Sequence, residues 1–446
     1  MLKMSMKRGR PSGWRDYQRS LKGKEARENI LKRIPFLALY SICAFLIVVL
    51  VLWSGSRISG YLSQASYGPP DDLKERVDIP KRLSKDDASG ILTDLMSAPL
   101  SFRQHYFFEA DGKHLSINSS VDPGLQEYIS DLLKGSKTLQ AAVVVIRPHD
   151  GRVLAMVNHS EKGEEENLCL KADFPAASLF KVVSAAAALE KAGFTPNQTV
   201  FFYGRKHTLY KSQLKKREGR YTSKTSFRKA FASSINPVFG KLGIYHLGKT
   251  VMSEYAERFL FNRDIPFDFP VDVSHIDVPD DDFGLAEISS GFNKRTLISP
   301  LHAALLVSAV ANKGIVMVPW FVDNISDESG RTVYKRKPSV LVTPISRGTA
   351  ESMKVLMRDT VRYGTCRRSF RKIQRKKAFK DVDLGAKTGT INDRTDQYKY
   401  DWLAAYALRE NSTKAICIAV LGVHGEKLGI RANELGRYII NYYMTS

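Results

Sequence analysis

The chain is poor in the residues that build metal centres and cross-links. Its 446 residues include four cysteines and nine histidines. No Cys-x-x-Cys pair and no His-Glu-x-x-His run occurs, which removes the usual zinc ribbon and metalloprotease readings. Cys43 falls in an apolar run, leaving Cys169, Cys366 and Cys417, an odd and widely spaced set that is no disulfide framework. Neither a metal nor a cofactor is expected. Internal repeats and low-complexity tracts are absent too, which excludes solenoid arrays. Acidic residues are missing where basic ones crowd: residues 203 to 230 hold ten Lys or Arg against one Glu, and 367 to 380 hold eight and no acid, within a formal net charge of +22. On a cytosolic protein such segments would point to nucleic acid.

One long hydrophobic run redirects that reading. Residues 34 to 53, "IPFLALYSICAFLIVVLVLW", are uncharged, and as a helix they would span about 30 Å, the thickness of a bilayer core. The 33 residues before them carry eleven Lys or Arg against three acids (Asp16, Glu25, Glu28), so this tail should stay in the cytoplasm and everything after Arg57 should lie outside. A cleavable signal peptide fits worse, because both the apolar run and the leader before it are too long. Four parts follow: a basic tail (1–33), a membrane helix (34–53), a stalk (54–113) with a short helix capped by Ser84 and carrying Asp87 at its third position, and an exported domain (114–446). Outside the membrane the basic segments have no nucleic acid to meet. Their counterparts would be anionic headgroups or acidic wall polymers, or they are simply solvated loops.

The exported part reads as α+β. "SVDPGLQEYISDLL" is a turn into an amphipathic helix, and "QAAVVVIRPHDGRVLAMV" is strand, turn at Asp150-Gly151, strand. A long alanine-rich helix follows, closed by Gly193 as its C-cap. "DVDLGAKTGT" is the edge strand, "YDWLAAYALRE" and "TKAICIAVLGVHG" are two more strands, and "RANELGRYIINYYM" is an amphipathic terminal helix. Together they predict an antiparallel sheet flanked by helices.

Three short motifs carry chemistry. Ser-x-x-Lys occurs at Ser178, Ser212, Ser226 and Ser369, so alone it says little. Ser178 differs because it opens a helix, where i and i+3 share a face and its hydroxyl can meet the Lys181 amine. The "VVSAAAAL" that follows lets that helix be buried. Ser-x-Asn occurs at Ser116 to Asn118, in a strand or loop, and at Ser234 to Asn236, between two helical segments with Pro237 suited to starting the second. Lys387-Thr388-Gly389-Thr390 occurs once, and its glycine in a strand marks a close approach, by a ligand on this reading.

The three motifs in this order resemble those of the penicillin-binding proteins and serine β-lactamases. Over about residues 114 to 446, "SSVDPGLQ", "AAVVVIRPHDGRVLAMV", "ISPLHAALLVSAVANKG" and "YGTC" look like the transpeptidase domain of the monofunctional, class B-like members. Two features depart from that pattern: a short stalk replaces the usual pedestal domain, and "EISSGFN" stands where the family has a GxG turn. The resemblance implies a D,D-transpeptidase acting on peptidoglycan stem peptides that end in D-Ala-D-Ala, acylated by β-lactams, with other cell-wall synthesis proteins as possible partners.

A serine hydroxyl needs a base. No histidine is placed by the motifs to help, so the base is Lys181. A lysine of pKa ~10.4 must be depressed by about 3 units, or ~4 kcal/mol, to serve near pH 7, and burial and the charge of Lys387 both push that way. By the same resemblance Ser234 relays a proton to the leaving amine and Asn236 hydrogen-bonds the substrate's amide backbone. Lys387 supplies positive charge, Thr388 and Thr390 hold the terminal carboxylate, Gly389 lets the strand come close, and the N–H groups of Ser178 and Thr390 form the oxyanion hole. The alternatives are a D,D-carboxypeptidase sharing the acyl-enzyme, a serine β-lactamase, most pressingly of the class D kind that uses a carboxylated lysine, and a non-catalytic wall or β-lactam sensor. A class A enzyme's deacylating glutamate has no counterpart here, since Glu254 and Glu257 read as surface residues.

Overall fold

The computed structural model describes residues 103–110, 113–161, 167–216, 222–393 and 395–446. The basic tail, the apolar run 34–53, and the stalk up to residue 102 with its Ser84 and Asp87 lie outside them. Among the described residues no helix is long and apolar enough to cross a membrane.

A five-stranded sheet organises the domain. Helix α1 (Pro123–Lys134) starts at Asp122, whose side chain accepts the Leu125 N–H at 3.0 Å, and leads into the hairpin of β1 (Gln140–Ile146) and β2 (Val153–Ser160). Next come α2 (Lys181–Glu190), α3 (Phe227–Ala232), α4 (Asn236–Leu242), α5 (Asp282–Ser290) and α6 (Pro300–Ala311). Helices α7 (Arg347–Arg362) and α8 (Arg367–Gln374) precede β3 (Val382–Asn392), β4 (Lys399–Arg409), β5 (Ala415–His424) and the terminal α9 (Ala432–Thr445). The sheet order is β3-β4-β5-β1-β2 with every pair antiparallel. The predicted α+β architecture is what forms, with the Lys387–Thr390 strand on the edge.

Strand periodicity builds two cores. Ala142, Val144 and Ile146 of β1 join Trp402, Ala404 and Tyr406 of β4 in the larger one, with α2 and α6. The alternate residues Ala141, Val143 and Val145 pack with Leu403, Ala405 and Ala407 against α1, α8 and α9. Helices cover both faces, so the strands read as continuous apolar runs although the sheet is antiparallel. Every residue of α2 from Lys181 to Ala188 is buried, and its alanines are small enough to let neighbouring helices close around it.

Two boundaries differ from the sequence reading. Strand His105–Ala110 pairs with Lys113–Ser119, which pairs in turn with Val322–Asp327, so a border at 113/114 cuts a hairpin and the fold begins upstream of it. In the sequence an Asp-Gly dipeptide, a common hairpin signal, separates the two strands. Helix α2 ends at Glu190, three residues before Gly193; the φ of +65° at Gly193 serves the turn that follows, where the Phe194 N–H returns to the Ala188 carbonyl.

Candidate active site

The site forms where the start of α2 meets the sheet edge. Phe174–Pro175 pairs with Leu297–Ile298, the Trp402 indole N–H donates to the Pro175 carbonyl at 2.9 Å, and the Ala176 N–H donates to Thr296. The chain then turns through Ala177 at φ +48° into a short 3-10 segment, Ala177–Phe180, which carries Ser178 and runs into α2. A non-glycine residue held in the left-handed region costs of order 1 kcal/mol or more and needs a surround that enforces it. Two glycines supply that surround. A Cβ on Gly291, itself at φ +62°, would lie 2.0 Å from the Ala177 carbonyl oxygen, and one on Gly389 would lie 3.2 Å from the Ala177 Cβ. The close approach foreseen at Gly389 is therefore made by the chain's own nucleophile turn.

Ser178 is half-buried and Lys181 wholly buried. Lys181 Nζ lies 2.8 Å from Ser178 Oγ and 2.8 Å from Asn236 Oδ1, and it also bonds the Ser290 carbonyl. Two of these three partners are carbonyl oxygens, which can only accept. A neutral amine has two N–H bonds and one lone pair, so it can satisfy both carbonyls and still take the hydroxyl hydrogen of Ser178. Among the described residues no carboxylate bonds this amine, and the Phe239 ring lies 5.5 Å away. Burial first, and then the charge of Lys387, hold its pKa well below the ordinary lysine value. These are the two causes expected from the sequence, in the expected direction.

Lys387 is equally buried. Its Nζ bonds Ser234 Oγ at 3.0 Å and the Thr388 carbonyl at 2.8 Å, with the Phe231 ring at 5.6 Å. Burial pushes its pKa down to about 7, so at neutral pH it is only partly the positive charge that the motif predicts. The adjacent Cys366 thiol is held protonated, pushed up to about 12 by burial, and offers little compensation.

Ser234 sits between α3 and α4 at φ +52°, the second left-handed non-glycine residue of the site. Both ends of the Asn236 amide are held: Oδ1 accepts from Lys181, and Nδ2 donates one of its two N–H bonds to the His207 carbonyl at 3.1 Å. Thr388 shares a 2.7 Å hydroxyl contact with Thr365, while Thr390 is exposed and bonds Asp401 at 3.3 Å. All eight residues singled out in the three motifs thus fall in one place. The other Ser-x-x-Lys copies do not: Ser212 is exposed, Ser226 caps α3 by accepting the Lys229 N–H, and Lys229 and Lys372 face solvent. Ser116 lies in the strand Lys113–Ser119.

Three residues went unread. Ser290 and Gly291, in the segment "EISSGFN", give Lys181 an acceptor and Ala177 its packing; their signal was the glycine after a helical run, standing where the family has its own glycine turn. His207 was also missed. Burial lowers its pKa, and it hydrogen-bonds the Ser234 backbone, so among the described residues no histidine serves Ser178 and the assignment of Lys181 as base is unaffected. It comes from the loop after Thr199–Tyr203, which no motif connects to Ser234, and it bonds backbone rather than Ser178.

Comparisons with known proteins identify the family. The family model for the penicillin binding protein transpeptidase domain matches residues 141–440. The chain belongs to that family. Among relatives, a peptidoglycan D,D-transpeptidase, PbpA, of Mycolicibacterium smegmatis is 24% identical over 351 residues, covering 71% of this chain and 69% of that protein. Among solved structures, the D,D-transpeptidase domain of a peptidoglycan glycosyltransferase from Eggerthella lenta superposes with a TM-score of 0.60 at 20% identity, over 74% of this chain and 82% of that one. Penicillin-binding protein A of M. tuberculosis, as its penicillin G acyl-enzyme, does so at 0.56 and 22%, over 74% and 80%.

Proposed function

We propose that this chain is a peptidoglycan D,D-transpeptidase that works through an acyl-Ser178 intermediate and is inactivated by β-lactams. One observation carries the reading: a wholly buried lysine amine, paired with no carboxylate among the described residues, 2.8 Å from the hydroxyl of a half-buried serine. A structural lysine at such a depth would need an anionic partner. A base needs to lose its proton.

Ser178 Oγ attacks the penultimate carbonyl of a D-Ala-D-Ala terminus while its proton passes to Lys181 Nζ. Ser234 Oγ, oriented by Lys387, relays a proton to the departing amine, and D-Ala leaves. Gly389 of the edge strand packs on Ala177, which supports the N–H groups of Ser178 and Thr390 as oxyanion donors, and the Thr388 and Thr390 hydroxyls take the carboxylate. Asn236 acts first as a positioning residue for Lys181, and the second N–H of its Nδ2 can donate to the substrate amide while the first stays on the His207 carbonyl. The ester then passes to a second peptide's amine, re-forming an amide and returning the proton to Ser178. The domain is exported and held at the cytoplasmic membrane by residues 34–53.

A β-lactamase reading fits less well. Carboxylation of Lys181 would need an apolar pocket around Nζ, which is instead occupied by three polar contacts. Glu254 pairs with Lys191 and Arg258 at 3.4 and 3.5 Å, as surface residues do. The test supplies the protein with a donor peptide ending in D-Ala-D-Ala and an amine acceptor, and separately with penicillin. D-Ala release with cross-linked product, and a penicilloyl adduct lasting many minutes with or without bicarbonate, are expected. Multiple turnovers of penicillin within seconds would overturn the assignment.

A further inference from the structure

A transpeptidase must seat two peptides, and the motifs account for one. The basic segment 203–230 contributes to none of the motifs, and part of it folds into a cavity beside the site. This cavity, about 820 Å³, lies between the hairpin of Thr199–Tyr203 with Thr222–Ser226, helix α3, and the end of α7. Lys206, Lys224 and Lys229 line it, all exposed, and none forms an ion pair among the described residues. The fourth cation, Arg228, is already neutralised: its Nε and Nη2 bond the Asp359 carboxylate at 2.6 and 2.8 Å. The pair braces the wall and leaves three lysines uncompensated. Tyr363, 67% exposed, offers an aromatic face on the same wall.

The position of the cavity fits the incoming peptide. Ser233 and Ile235, the neighbours of Ser234, line it. So does Ala232, whose carbonyl accepts the Thr365 N–H at 3.1 Å, and Thr365 Oγ1 meets Thr388 Oγ1 at 2.7 Å. In the reaction above, Thr388 helps hold the carboxylate of the leaving D-Ala, so the Thr365 loop marks the side on which that residue departs. The amine that replaces it must arrive from the same side.

We propose that this cavity is the acceptor groove, in which Lys206, Lys224 and Lys229 hold the free carboxylates of the peptide strand whose amine resolves the Ser178 ester. The inference rests on the transpeptidase reading. In the step it serves, the ester C–O bond breaks, the amine nitrogen forms the new C–N bond and gives up one proton, and Ser178 Oγ regains one. Exposed lysines attract carboxylates weakly and in a salt-dependent way, which suits a strand that must leave after each turnover.

The test uses the full chain and a Lys224→Gln/Lys229→Gln variant, acylated by a donor peptide and offered one of two acceptors: a peptide amine with free carboxylates, or the same peptide fully amidated. For the free-carboxylate acceptor the variant should raise KM about fivefold to tenfold, the effect of losing two exposed charge contacts. In the wild type, 0.5 M salt should do the same. Penicillin acylation and use of the amidated acceptor should not change. An unaltered KM for the acidic acceptor, with normal acylation, would remove the groove alone. Failure of the wild type to be acylated would remove the transpeptidase reading and the groove with it. If the double variant loses acylation, Lys224→Glu on the exposed hairpin carries the same comparison.

Discussion

Two lysines sit at the centre of this domain, both wholly buried, each over a phenylalanine ring, and their surroundings give them different work. Lys181 meets two carbonyl oxygens and a hydroxyl. Lys387 meets one carbonyl and one hydroxyl. The first arrangement exhausts the N–H bonds of a neutral amine and aims its lone pair at Ser178, which is what a base requires. The second leaves an N–H to spare and a pKa of about 7, which suits a group that is charged in part of the population and steadies Ser234. Burial alone does not make a lysine a base; the count and kind of its acceptors decide. The pockets are also coupled, because the charge on Lys387 is the second cause that lowers Lys181.

The largest predicted effect tests that division directly. Lys181→Ala should slow acylation by penicillin about 10⁴-fold, the upper end of what a general base contributes, whereas Lys387→Ala should cost about 10²-fold. Stopped-flow fluorescence of a labelled penicillin measures both, and equal losses would mean that the two pockets share one role. Next in size is Gly291→Ala. The added Cβ would meet the Ala177 carbonyl at 2.0 Å in a left-handed backbone, so acylation should fall about 10²-fold as the nucleophile turn shifts, with a loss of at least about 1–2 kcal/mol in denaturant unfolding. Wild-type behaviour would show that the turn is not clamped as described.

The site was legible in the sequence to the extent that it is local. Ser178 and Lys181 share a helical face by spacing alone, and burial of that helix follows from its alanines. The sheet showed itself through runs such as Ala141–Ile146, although helices on both faces hid the alternation that usually marks an antiparallel strand. What could not be read are contacts made by carbonyl groups and by distant loops. The Ser290 carbonyl on Lys181 and the His207 carbonyl on Asn236 depend on backbone positions, which any residue type could provide. The 105–119 hairpin is hidden for another reason: it follows a turn-rich, polar stretch that reads as linker, and the partner of its second strand, Val322–Asp327, is some two hundred residues away.

A smaller effect appears in stability against pH. With Lys387 at about 7 when folded and ~10.4 when unfolded, the unfolded chain carries a proton between those values that the folded chain lacks, so stability rises with pH across that window. Below pH 7 both states are protonated and the contribution stays flat at its least favourable value. Relative to Lys387→Met, wild type should gain about 2 kcal/mol between pH 7.5 and 9, measured by urea unfolding. A constant difference between the two would place the Lys387 charge outside the buried pocket. The smallest effects belong to the accidental Ser-x-x-Lys copies. Ser226→Ala should cost about 1 kcal/mol as a lost helix cap, and Ser212→Ala and Ser369→Ala within about 0.5 kcal/mol, with penicillin labelling normal in all three.

The central claim is that Ser178, activated by an uncharged Lys181, is the acylated residue. Intact-protein mass measurement after penicillin exposure tests it most directly. The wild type should gain the mass of one penicilloyl group, mapped by proteolysis to the peptide containing Ser178, and Ser178→Ala should gain none. An undiminished adduct on Ser178→Ala would contradict the account.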